Sequence, residues 1–179
     1  MTSRQIKWIL AGLAASALLL GAVLPAHSQT EKTVRYKEVH NQIASNVVLI
    51  GDPAQGHLRG AWVRRGLTIF EDGEVAAYSA LGDFDITKGK GSISGYDTTF
   101  FDDGSSWSTK FTGQFSVGPK GLWVIPHEGE FVAGTGRFEG ITGKLVYTSR
   151  QINKHKDFAD YAETEGSATY TVPPKPATK

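Results

Sequence analysis

The sequence predicts an all-β fold, a single antiparallel up-and-down β-barrel of about eight or nine strands after a cleaved signal peptide, and three observations carry that expectation. Short runs rich in Val, Ile, Thr, Phe, Tyr and Trp alternate with the period of two that sends successive side chains to opposite sheet faces. Tight-turn residues, Asp-Gly foremost, separate those runs where hairpins need them. Glycine supplies 19 of the 151 residues after position 28, well above the usual share of about 7%.

Residues 1–28 are read first. Arg4 and Lys7 precede an uncharged apolar run over 8–24, and Pro25-Ala26-His27-Ser28 follows, with small residues three and one before a cut. That is the layout of a secretory signal, so the mature chain is expected to be exported, periplasmic or secreted. An uncleaved anchor is the rival reading, but the run is short for a bilayer core of about 30 Å, and Pro25 breaks a helix. No stable membrane insertion is expected after cleavage. The chain has no cysteine, so burial and hydrogen bonds alone must hold the fold. A domain of this size buries about 70% of the surface of its unfolded chain, which suffices.

Residues 29–32 and 173–179 are polar or proline-rich and are expected to be loose, which leaves one domain over 33–172. Strands are expected at 47–50, 61–70, 75–81, 92–101, 107–115, 122–125, 131–138, 145–152 and 168–172. In the fifth, Trp107, Thr109, Phe111, Gly113 and Phe115 share a face, and Ser108, Lys110, Thr112 and Gln114 share the other. In the eighth, Leu145, Tyr147, Ser149 and Gln151 share a face, which puts polar atoms beside apolar ones. Turns are expected at Glu71-Asp72-Gly73-Glu74, Asp102-Asp103-Gly104-Ser105, His127-Glu128-Gly129-Glu130 and Gly140-Ile141-Thr142-Gly143. Residues 157–165 are the only helix candidate, a loop or single surface turn. Open sheet edges invite aggregation, so the strands should close into a barrel, with Gly134-Thr135-Gly136 as a corner.

Charge narrows the function. Nineteen basic side chains face eighteen acidic ones, and after residue 28 the formal charge is −1, so no field is left to attract nucleic acid. His40, His57 and His155 show no metal-ligand spacing, and no metal or cofactor is expected. Arg64-Arg65, Lys88-Gly89-Lys90, and the acids Asp83, Asp85, Asp97, Asp102 and Asp103 read as solvated charges. His127, Glu128 and Glu130 resemble an acid-base cluster, but a turn position argues for exposure.

The stretch from Gly129 through Gly134-Thr135-Gly136-Arg137-Phe138-Glu139-Gly140-Ile141-Thr142-Gly143 resembles the glycine signature of allene oxide cyclase-like and dirigent-like barrels of the calycin group. Phe100-Phe101-Asp102-Asp103-Gly104-Ser105 and the strand around Tyr147 are similar to bacterial exported relatives of that group. The likeness covers roughly residues 95–152. It implies a barrel whose lumen can hold an apolar ligand. Members include cyclases and stereochemistry-directing proteins that act on hydrophobic or phenolic small molecules. A glycine motif describes backbone geometry, so it transfers no catalytic residue.

A barrel of about eight strands is wide enough either to fill with side chains or to hold one small molecule. Trp62, Tyr78, Trp107, Phe111, Trp123, Phe131 and Tyr147 are the candidate lumen aromatics, and Ser149 and Gln151 the candidate polar tips. The competing reading makes the aromatics ordinary core and the polar tips solvated strand ends. Three functions follow. The first is an exported barrel binding a small hydrophobic or aromatic molecule, the second a cofactor-free isomerase or cyclase, and the third a packed structural or interaction barrel, in each case with homo-oligomers allowed. A filled interior favours the third. A water-shielded carboxylate, Arg or Tyr in the lumen favours the second.

Overall fold

The computed structural model describes residues 30–174 except 119, 154, 156, 158 and 159. The expected signal peptide over 1–28 and the expected loose tail from 175 onward lie outside the described residues. Eight strands follow one another: β1 (Lys32–Leu49), β2 (His57–Phe70), β3 (Val75–Thr87), β4 (Lys90–Phe100), β5 (Ser106–Val117), β6 (Trp123–Thr135), β7 (Thr142–Gln151) and β8 (Tyr161–Thr171). Each pairs antiparallel with the next, and β8 returns to β1 with Lys32 opposite Tyr170 and Asn41 opposite Tyr161, closing the barrel. This is the expected all-β up-and-down class, with eight strands.

Four local expectations are corrected. Most of β1 was not anticipated, because its inward row of Val34, Tyr36, Glu38 and His40 is half polar while Val39 faces out. The expected strands at 122–125 and 131–138 are largely one strand, β6. Its supposed turn, 127–130, stays extended, with His127 inward and Glu128 outward, and Phe138 belongs to a 3-10 turn, Gly136–Phe138. The helix candidate overlaps the start of β8, whose outward Glu163 and Glu165 gave it a charged look. Lys32, placed in the loose N-terminal end, already pairs in β1.

Two bulges set the alternation. On β1 the register slips between Gln42 and Ala44, so Ile43 is the extra residue, and the inward row continues at Ser45 and Val47. On β6 the slip beside Ser108 and Thr109 leaves Val132 as the extra residue.

The two halves of the lumen differ. At the end bearing the 71–74, 102–105 and 136–141 connections, Trp107 packs against Phe101 and Phe138 at 4.9 and 4.7 Å between ring centroids, and against Phe131 at 5.4 Å and Tyr170 at 5.7 Å. The guanidinium of Arg137 lies 4.4 Å from the Phe101 centroid and 4.8 Å from that of Phe138, and pairs with Glu74 at 2.5 Å. That end is packed shut. Toward the other end, rings lie flat on the wall over inward glycines. A Cβ on Gly82 would sit 2.7 Å from Trp62 Cζ2, one on Gly95 would sit 2.7 Å from Phe111 Cζ, and one on Gly113 would sit 2.5 Å from His127 Nδ1. Because glycine leaves room beside the wall, these rings need not cross the lumen, and a void remains.

Candidate functional site

That void, about 300 Å³, opens toward the end with the 50–56, 88–89, 118–122 and 152–160 connections. Its size suits one small molecule. Trp62, Phe84, Phe111, Phe115 and Trp123 supply flat apolar wall, and Ile86, Ile93 and Ile125 fill between them.

Polar atoms converge on one side. Arg64, inward from β2, lies against two indoles, 5.6 Å from the Trp62 centroid and 5.1 Å from that of Trp123, a favourable cation-π arrangement. Its Nη1 donates to His40 Nδ1 at 3.2 Å. His40 Nε2 lies 3.1 Å from Thr164 Oγ1, which lies 2.8 Å from Ser149 Oγ. His127 stacks on Tyr147 at 4.4 Å, and its Nδ1 is buried with no hydrogen-bond partner among the described residues. Burial first, and the nearby Arg64 charge second, push His40 and His127 down to about 3, so both rings are neutral at ordinary pH.

Below this level the lumen holds two acids. Thr68 donates to Glu38 Oε1 at 3.2 Å and Thr109 donates to Asp97 Oδ1 at 2.7 Å. Burial pushes Asp97 up to about 7 even though the Thr109 hydrogen bond pulls the other way. Glu38 is held well above the usual carboxylate range, by burial first and then by the charge on Asp97. The pair borders a small internal space of about 10 Å³ that Tyr36 and Tyr147 also line. Tyr147 borders both spaces.

The sequence candidates divide by height. Trp62, Tyr78, Phe111, Trp123, Tyr147 and Ser149 line the open cavity. Trp107 and Phe131 sit in the packed rings at the shut end. Gln151, one inward position beyond Ser149, is half-buried at the end of β7 and is not part of the cavity wall. Sequence reasoning missed Glu38 and His40, and misread Arg64, Asp97 and His127. In the sequence alone, Arg64 and Asp97 read as solvated charges. Parity corrects both, since Arg64 shares the inward row with Trp62 and Phe70, and Asp97 shares one with Ile93 and Thr99. His127 is 7% exposed, buried by the strand that replaces its turn.

A second hollow, about 600 Å³, lies outside the shut end between Lys32, Asp72, Glu74 and Arg137. It is larger but stands over the packed rings, and its charged walls are already paired to one another or exposed. The cavity near Arg64 is the better site because its polar groups are enclosed and convergent.

These features define a class: a closed eight-stranded up-and-down barrel, packed at one end and hollow at the other. No protein-family model matches the chain, and no curated protein matches it. Among solved structures it is similar to the pterocarpan synthase dirigent protein GePTS1, at 15% identity and a TM-score of 0.47, over 85% of this chain and 94% of that one. It is likewise similar to the pterocarpan synthase dirigent protein PsPTS1, at 15% identity and a TM-score of 0.45, over 82% of this chain and 97% of that one.

Proposed function

We propose that the chain is an exported barrel that binds a small, flat hydrophobic or aromatic molecule in the open half of its lumen. The observation that carries this is the cavity of about 300 Å³ walled by rings lying over glycines. Burying ~150 Å² of ligand apolar surface there contributes about 4 kcal/mol, and the polar side orients what enters. Export rests on the leader pattern of residues 1–28. The test is thermal unfolding of the mature chain across a panel of aromatic compounds. A ligand at one hundred times its Kd stabilises by about 2.7 kcal/mol, and filling the cavity with Ile125→Trp removes that gain while far-UV circular dichroism stays unchanged. A panel with no stabilising compound contradicts the proposal.

A second reading, an isomerase or cyclase, is favoured by one observation, the enclosed Glu38–Asp97 pair beneath Tyr147. A carboxyl group that ionises near neutrality can give or take a proton efficiently, while the walls hold a reactive substrate folded. Asp97→Asn then abolishes turnover and leaves ligand affinity in place. Equal turnover in the variant rules this reading out.

A further inference from the structure

We propose that the ligand of the open cavity carries a carboxylate, or an equally compact anionic oxygen group, on its aromatic body, and that Arg64 and Ser149 receive it. This rests on the binding function proposed above and names the chemical class that fits.

Arg64 is a cation at an apolar wall without a counter-ion. Among the described residues no carboxylate comes within 4.0 Å of it. Buried Tyr78, and Asp160 exposed at the cavity mouth, act on it only from a distance. Its one side-chain hydrogen bond, to neutral His40, uses one of five N–H donors and leaves the charge uncompensated. A guanidinium held between two indoles, with donors to spare, matches a planar anion better than any neutral group.

The hydrogen-bond chain behind it has a direction, and the direction points the same way. Arginine only donates, so His40 Nδ1 accepts. The neutral ring then carries its proton on Nε2 and donates to Thr164 Oγ1. Thr164 is 1% exposed, and Ser149 Oγ is its other side-chain partner. A buried hydroxyl gives its proton to an acceptor, so Thr164 donates to Ser149. The Ser149 proton is left for the cavity that Ser149 lines. Two donors, one charged, therefore meet the guest, and a guest offering acceptor oxygens satisfies both.

The test compares naphthoate with naphthamide, an anion and a neutral relative of nearly the same shape, by calorimetric titration of the mature chain at pH 7. Naphthoate is expected to bind at least tenfold tighter, with the preference shrinking as salt is raised. In Arg64→Met the preference falls to within twofold because naphthoate loses more affinity than naphthamide; in Arg64→Lys part of it survives. Equal binding of the two probes to the wild-type chain overturns this inference and leaves lumen binding standing. Binding of neither probe overturns the lumen reading itself. Should Arg64→Met fail to fold, the wild-type comparison alone decides. A naphthoate preference that persists in folded Arg64→Met also overturns the assignment.

Discussion

Replacing Asp97 with Asn should make the protein more stable in alkaline solution, and the size of the effect follows from its burial. The carboxyl group is pushed from the ordinary 3.8 to about 7, roughly three units at about 1.4 kcal/mol each. Between those values the folded chain keeps a proton that the unfolded chain has released, so stability falls as pH rises through the window. From pH 5 to pH 8 the loss is about 2.5 kcal/mol. His40 and His127 act oppositely. Their pKa values drop from 6.5 to about 3, so the unfolded chain takes up protons first and stability falls as pH is lowered below 6.5. The two effects partly cancel in the wild-type profile, and the variant isolates one of them. Thr109 can still donate to the amide oxygen, so Asp97→Asn should match the wild type near pH 5 and exceed it by about 2.5 kcal/mol at pH 8. Urea unfolding followed by circular dichroism at both values measures this. A difference that does not change with pH would mean that Asp97 is hydrated and ionised throughout, and the argument for an enclosed acid pair would fail.

Three further outcomes concern the wall and the shut end. Trp107→Ala removes the ring at the centre of the packed end and should cost about 4 kcal/mol in urea unfolding, with ligand affinity at the far cavity unchanged. Gly113→Ala brings a methyl within 2.5 Å of His127 Nδ1 and 2.8 Å of Ile125 Cγ2; it should destabilise by about 1–3 kcal/mol and weaken ligand binding by displacing the His127 ring. Arg137→Ala breaks a partly exposed pair with Glu74 and uncovers Phe101 and Phe138. It should lower stability by only about 1 kcal/mol and leave binding untouched.

The fold was legible where alternation was clean. The strand at 107–115 and the Asp-Gly turns at 72–73 and 103–104 follow directly from period-two patterning and turn chemistry. The pattern failed where the inward row is polar, and there it concealed the site. Glu38 and His40 hid most of β1 from the apolar alternation, and His127 and Gly129 made the middle of β6 look like a turn. Residues 157–165 read as a loop or single surface turn because the outward face of β8, with Glu163 and Glu165, is charged. The wall aromatics were identifiable individually, but not their height in the barrel. Trp107 and Trp62 read alike in sequence, and only the register separates a ring packed under Phe138 from one beside Arg64. Extending the Trp62 parity two residues would have placed Arg64 inward, had a buried cation not been so costly as to favour a solvated reading.

The most direct measurement is native mass spectrometry of the mature chain purified from its own source, alongside Ile125→Trp prepared identically. A hollow lumen built for a guest predicts a bound small molecule released on gentle activation from the wild type and missing from the filled variant. Wild-type protein that carries nothing and takes up none of the aromatic panel, or a guest bound equally well by Ile125→Trp, would show that the cavity near Arg64 is not where this protein works.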